Sequence, residues 1–146
     1  TSRKDYNKDP VIKWHWDKLI DHLDRSYFLT IFGYCAPRTD IEARNMMHKA
    51  WSGNKSVELA QIEIIDVKDE KIIHDTWQEF IIRQHYTICE SLEDSWLWSH
   101  PRQTCEALFD ATMQNSPRNP TPFPKTSDLS ELHDFVSNLV IEDLHV

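Results

Sequence analysis

The segment from Leu29 to Asp40, LTIFGYCAPRTD, constrains the fold of this chain more than any other. It continues an apolar run, Tyr27–Phe32, that has the length of a strand and no polar alternation, which is typical of a parallel sheet covered on both faces. Gly33, one of only two glycines, follows the run directly. The residues Thr39 to Glu42 then have the spacing of a helix capping box. The segment therefore predicts a buried strand, a glycine loop and a helix that begins near Thr39.

Helices and strands are predicted to alternate on either side of this segment. Asp9 and Pro10 are typical of a helix start, and apolar residues recur at helical spacing as far as about residue 25. A second strand is predicted at about 59–67, ending near Asp66, and a third helix at about 69–83. A right-handed crossover between parallel strands would bring both strand ends to one edge of the sheet.

The expected fold class is α/β, a Rossmann-like three-layer arrangement with a mostly parallel sheet and C-terminal helices. The two predicted strands leave open whether the chain forms a whole domain or a half-domain. His85–Cys89 fits a short strand and Ser91–Trp98 fits a helix, without a decisive pattern. Four of the seven prolines fall within 115–126, which predicts an extended linker. We therefore divide the chain into a domain of residues 10–114, a Pro-rich linker of residues 115–126 and a C-terminal amphipathic helix of residues 127–146, capped by Ser127 or Ser130.

Charge and composition argue against several classes of partner. A formal net charge of −8 disfavours a nucleic-acid surface, since phosphate neutralisation needs clustered Lys and Arg. No stretch approaches the roughly 20 apolar residues that cross a bilayer. Three irregularly spaced cysteines fit reduced thiols, and the His and Cys spacing matches no metal motif. We expect a cytoplasmic protein that binds no nucleic acid, membrane or metal.

The loop that contains Gly33, Tyr34 and Cys35 is the first candidate ligand contact. Its main-chain N–H groups, together with the start of the next helix, suit a phosphate or a ribose. The loop equally fits a tight turn that needs a small residue, and both hypotheses stay open. It has neither the G-x-G-x-x-G pattern nor a P-loop lysine, and Arg38 is the nearest cation in sequence.

Asp66 is the second candidate ligand contact. An acidic residue that closes a strand of an α/β sheet can accept hydrogen bonds from ribose hydroxyls. The alternative is that Asp66 or Asp69 caps the helix that follows.

The run Phe32–Ala43, FGYCAPRTDIEA, followed by Ile64-Ile-Asp66 and a helix around Trp77, resembles the C-terminal part of bacterial sirtuin-like domains over residues 11–80. The resemblance implies that Gly33, Tyr34 and Cys35 replace the Gly-Thr-Ser loop that approaches the NAD phosphates and ribose. Asp66 would replace an Asn near the adenosine. The glycine-rich NAD loop, the catalytic His and the four-Cys zinc module of sirtuins do not occur in this sequence, so the catalytic residues stay unknown.

The resemblance thus implies an element that binds NAD or an ADP-ribose-like nucleotide without being a complete catalytic unit. Within a longer chain it would belong to an NAD-dependent hydrolase or deacylase. Two parallel strands make too small a sheet to bury their own apolar residues. A second chain or a missing N-terminal half is therefore the expected partner, unless the C-terminal helices cover the gap. The alternative function is a non-catalytic interaction or assembly module that keeps the fold without the cofactor.

Overall fold

A computed structural model of the chain describes residue 6 and residues 8–36, 39–55, 61–81 and 85–143. The chain divides into two compact units, Thr1–Glu90 and Ser91–Val146. The first unit contains α1 (Pro10–Leu23), β1 (Phe28–Phe32), α2 (Ile41–Gly53), β2 (Gln61–Ile65), α3 (Glu70–Ile81) and β3 (His85–Cys89). The second contains a 3₁₀ turn (Leu92–Asp94), α4 (Trp96–Ser99), α5 (Thr104–Thr112) and α6 (Leu129–Asp143). In the ranges described, no helix is long and apolar enough to cross a bilayer.

The three strands form one parallel sheet in the order β1-β2-β3. Phe32 lies opposite Ile65, and Ile65 lies opposite Cys89, so all three strands end at the same edge. Helices α2 and α3 connect the strands, as parallel pairing requires. The predicted α/β class with a parallel sheet is confirmed, and residues 85–89 form its third strand.

One hydrophobic cluster holds the first unit together. Ile31, Ile62 and Ile64 occupy alternate positions of their strands and so belong to one face of the sheet. They share the cluster with buried residues of all three helices: Leu23 of α1, Ala50 and Trp51 of α2, and Ile73, Trp77, Phe80 and Ile81 of α3. Full burial of one such aliphatic or aromatic side chain contributes about 1.5–3 kcal/mol. The three helices therefore pack against the same face of the sheet.

The other face of the sheet carries a buried carboxylate at its centre. Glu63, in the middle of β2, has 0% of its surface exposed. Thr30 Oγ1 donates to Glu63 Oε2 at 3.4 Å, and the Cys89 thiol lies 4.0 Å from Oε1. Burial of a charge is costly unless hydrogen-bonding groups surround it, so these neighbours on β1 and β3 help to keep this carboxyl group inside the fold.

The two N-terminal helices begin differently from each other. Asp9 caps α1 as predicted, since its carboxylate accepts from the amides of Val11 and Ile12 at 2.8 and 3.2 Å. The predicted capping box at Thr39 is wrong, because α2 begins at Ile41 and its N-cap is Asp40. Asp40 has an additional partner that local spacing does not reveal: the Tyr6 hydroxyl donates to its Oδ2 at 2.7 Å.

The second unit incorporates the Pro-rich segment. Residues 115–126 contain neither helix nor strand. The Phe123 amide donates to the Trp98 carbonyl at 3.3 Å, and the Phe123 ring lies 5.5 Å from Trp98 and 5.4 Å from Phe135. The predicted cap of the last helix is wrong, because Asp128 accepts from the Ser130 amide at 2.8 Å. This part of the Pro-rich segment is therefore packed against α4 and α6.

Replacement of Asn54 tests how the helices are joined. The buried Asn54 amide donates to the carbonyls of Leu23 and Ser26, at 2.9 and 2.8 Å, and so ties the end of α2 to the end of α1. We expect Asn54→Ala to lower the free energy of unfolding by about 2 kcal/mol, because it removes two buried hydrogen bonds between the side chain and main-chain carbonyls. Urea denaturation measures this loss. Asn45→Ala, at an exposed position of α2, is the control and should change stability by less than about 0.5 kcal/mol.

Candidate functional site

The register of the sheet brings the candidate residues of two strands together. Phe32 and Ile65 are partners in the parallel pair, so the residues that follow them, Gly33 and Asp66, are neighbours at the carboxyl edge. Adjacent strands of a sheet lie about 4.8 Å apart. We call the carboxyl edge formed by residues 33–36 and 66–68 the β1–β2 rim.

The loop after β1 has an unusual backbone. Gly33 has a φ of 70°, in the left-handed region where only glycine is unstrained. Apart from Gly33 and its two neighbours in the chain, no described atom lies within 4 Å of the place a Cβ would occupy. The φ alone is sufficient to require glycine, as the tight-turn hypothesis holds, and the open space leaves room for a ligand. Ala36 has a φ of 39°, which costs a non-glycine residue about 1–2 kcal/mol. Contacts elsewhere must hold this loop in place.

Arg44 supplies these contacts. Its Nη1 donates to the Ala36 carbonyl at 2.9 Å, while its Nη2 donates to the Thr76 carbonyl and to Glu79 Oε2, both at 3.2 Å. Only 13% of the Arg44 side chain is exposed, so water competes little for these bonds. The sequence analysis did not single out this residue. From its position on α2, Arg44 ties the loop to α3.

Tyr34 forms the apolar part of the rim. Its ring packs edge-on against Trp77, with centroids 5.9 Å apart. Burial raises the pKa of the Tyr34 phenol, and the charge of Asp40 raises it further. The hydroxyl therefore stays protonated at neutral pH and can act as a hydrogen-bond donor.

Asp66 and Lys68 form the polar part of the rim. Asp66 Oδ2 accepts from Lys68 Nζ at 2.9 Å, and Oδ1 accepts from the Lys68 amide at 3.1 Å. These bonds lower the pKa of Asp66. The pKa of Lys68 is raised, chiefly by its hydrogen bond to Asp66. Of the two proposed caps of α3, Asp69 accepts from the Lys71 amide at 2.9 Å, whereas Asp66 pairs with Lys68.

The start of α2 is less suited to a phosphate than the sequence suggests. The Asp40 carboxylate accepts from the Ala43 amide at 3.4 Å and therefore places a negative charge where a bound anion would lie. Arg38, the cation nearest to the loop in sequence, lies outside the described residues. Within the rim as defined, Lys68 is the cation that an anion would meet.

No group of three His, Cys, Asp or Glu side chains in the described part of the chain is arranged to hold a metal ion.

In comparisons with known proteins, no family model, no curated protein and no solved structure matches this chain.

The structural role of Arg44 can be tested by Arg44→Gln. The shorter amide cannot span Ala36, Thr76 and Glu79 together, so we expect a loss of about 1.5–3 kcal/mol in unfolding free energy. The ¹⁵N NMR order parameters of residues 33–36 should also fall. Arg25→Gln removes an arginine that is 66% exposed and pairs with Asp21 on α1. This control should cost less than about 1 kcal/mol. Equal, small losses in both variants would show that Arg44 does not hold the loop.

The pairing within the rim can be tested by Lys68→Met. Without the ammonium, the pKa of Asp66 should rise toward its ordinary value of about 3.9, as followed by carboxyl ¹³C NMR. Because the pKa of Asp66 is lower in the folded state, the pair stabilises the fold above about pH 4 and loses this effect as the pH falls through the lowered pKa. Lys13→Met on α1 is the control. An unchanged Asp66 titration in Lys68→Met would contradict the pairing.

Proposed function

We propose that this chain is a nucleotide-binding element, and that NAD or an ADP-ribose-like ligand binds at the β1–β2 rim. The observation that carries the proposal is the pairing of Phe32 with Ile65. It makes an open glycine loop the neighbour of an ionised carboxylate and an ammonium group. Ligands of open α/β sheets bind at this edge, outside the carboxyl ends of the strands.

Each group at the rim has a chemical role in this proposal. The lowered pKa of Asp66 keeps its carboxylate ionised at neutral pH, so it can accept hydrogen bonds from ribose hydroxyls. Lys68 would neutralise a phosphate, to which the amides of Gly33, Tyr34 and Cys35 would donate. A ligand that brings both a ribose and a phosphate satisfies both halves of the rim. Such a ligand fits better than a bare phosphate, since Asp40 and Asp66 repel an anion.

The resemblance to sirtuin-like domains supports the same class of ligand. The proposal assigns no catalytic residue, because the groups that perform the sirtuin reaction do not occur in this sequence. If the element works within a longer NAD-dependent hydrolase or deacylase, the reacting groups lie outside these residues. Cys35, Cys89 and Cys105 are not joined in disulfide bonds, which suits a cytoplasmic location.

A second candidate function is assembly. Within the described ranges the sheet has only three strands, so β1 and β3 are its edges. Edge strands offer unpaired main-chain groups to a further strand, which a second chain or an N-terminal half could supply. Phe32 is also strongly exposed at the end of β1. As an assembly module without a cofactor, the chain would associate and bind no nucleotide.

Calorimetric titration with NAD and ADP-ribose tests the nucleotide proposal. We expect saturable binding of both, and Asp66→Asn should weaken it roughly tenfold or more, because it removes charge-assisted hydrogen bonds to the ribose. Adenosine, which has a ribose and no phosphate, should be sensitive to Asp66→Asn and insensitive to Lys68→Met. Asp17→Asn, an exposed change on α1, is the matched control and should leave all affinities unchanged.

The nucleotide proposal is contradicted if titration with NAD, ADP-ribose and adenosine gives no heat of binding. If light scattering of the same sample then shows a stable dimer, the assembly function replaces the nucleotide function. Binding that Asp66→Asn and Lys68→Met both leave unaltered would place the ligand away from the rim.

A further inference from the structure

The Pro-rich segment, residues 115–126, is exposed over most of its length. It connects α5 to α6 within the second unit and contains neither helix nor strand. Each residue from 115 to 122 is exposed, whereas Phe123 is half-buried and packs against other rings of this unit. The three prolines of the exposed stretch, like the residues between them, are therefore accessible to another molecule.

The prolines restrict the backbone of this segment to an extended form. Proline fixes its φ near about −65°, and the residue before a proline is disfavoured in the helical region. Within residues 116–124, four residues are prolines and four more each precede a proline, so eight of the nine are restricted. These restrictions favour the polyproline II helix, in which residues three apart lie on the same edge. Pro117 and Pro120 have this spacing, and both are exposed.

Contacts within the second unit hold the segment at intervals. The Arg118 guanidinium donates to Asp110 Oδ2 at 2.5 Å and also to the side-chain carbonyl of Gln103. The Thr121 amide donates to the Ser99 carbonyl at 2.9 Å. These bonds engage one guanidinium and one main-chain amide, so they fix the path of the chain and leave the proline rings between them exposed.

The charge of the segment is opposite to that of the chain. Residues 115–126 include two cations, Arg118 and Lys125, and no acidic residue, although the whole chain has a formal net charge of −8. Lys125 is exposed, so a surface that carries carboxylates would be electrostatically complementary to the segment. Pro-rich segments in the polyproline II form bind grooves lined by aromatic side chains. A segment that is already held in this form loses less conformational entropy on binding.

We propose that the Pro-rich segment is the docking element for a partner protein that has an aromatic-lined, acidic groove, as in proline-recognition domains of the SH3 class. The rings of Pro117 and Pro120 pack against the aromatic side chains of this groove, and Lys125 interacts with carboxylates at its border. The interaction involves only the second unit. It is therefore independent of the β1–β2 rim and of nucleotide binding there.

The experiment titrates the full chain, labelled with ¹⁵N, with a panel of purified SH3 domains whose grooves carry carboxylates. We expect saturable binding by at least one domain, with the amide shifts concentrated in Arg118, Asn119 and Thr121. The synthetic peptide of residues 115–126 should bind the same domain roughly threefold or more weakly, because the free peptide has to be ordered on binding.

Matched variants separate recognition of the segment from nonspecific association. Pro117→Ala combined with Pro120→Ala removes the two rings and should weaken binding roughly tenfold or more. Pro10→Ala, at an exposed proline of α1, is the control and should leave the affinity unchanged.

The electrostatic part of the proposal has its own variant. Lys125→Gln should weaken binding at low salt and reduce its dependence on salt. The control is Lys13→Gln, which removes an exposed lysine of α1 and should do neither.

Three results would overturn the proposal. The first is that no domain of the panel saturates the chain at millimolar concentration, and the second is that the double proline variant binds as tightly as Pro10→Ala. The third is that the peptide binds and the full chain does not, which would show that contacts within the second unit withhold the segment. If the double variant fails to fold, the comparison of Lys125→Gln with Lys13→Gln still decides the question.

Discussion

The parallel pairing of β1 with β2 is the constraint from which both the fold and the candidate site follow. Parallel strands cannot be joined by a tight turn, so the chain crosses over through α2, and the next pair repeats this with α3. Two crossovers of the same hand that run in one direction put both helices on the same face, where the hydrophobic cluster lies. The same pairing sets Gly33 beside Asp66.

Electrostatics then determine what this edge of the sheet can bind. Asp40 closes the start of α2, and Arg44 is engaged with the loop and α3, so neither the helix end nor this guanidinium serves an anion. Lys68 is the cation at the rim, and its charge is already partly balanced by Asp66. A rim of mixed charge favours ligands that combine hydroxyl groups with a phosphate. This preference connects the local geometry to the proposed class of nucleotide.

Local signals in the sequence were sufficient to predict most of the elements. Asp9 caps α1 as predicted, because the amides that donate to its carboxylate lie within three residues of it in sequence. The predicted N-cap of α2 was wrong because Thr39 and Asp40 are adjacent residues that can both cap a helix. Tyr6, which is 34 residues away in sequence, donates a hydrogen bond to Asp40. A contact so distant in sequence leaves no local pattern.

The candidate site was predictable in position but not in its supporting contacts. One strand ends at a glycine and the next ends at an acidic residue, and this pattern predicts that the site lies at the carboxyl edge of the sheet. Arg44 leaves no such pattern, because it binds partners that are 32 and 35 residues away in sequence. Lys68 was missed for a different reason: one lysine in a polar turn is typical of any surface. Glu63 lies within a run of isoleucines, and its burial between Thr30 and Cys89 depends on the pairing of three strands.

The central claim is that a nucleotide binds where the ends of β1 and β2 meet, and amide NMR mapping with ADP-ribose tests it most directly. The account predicts saturable shifts that are concentrated in residues 33–36 and 66–68, with the amides of α1 unchanged. An absence of shifts at millimolar ADP-ribose, or shifts concentrated away from this edge, would contradict it.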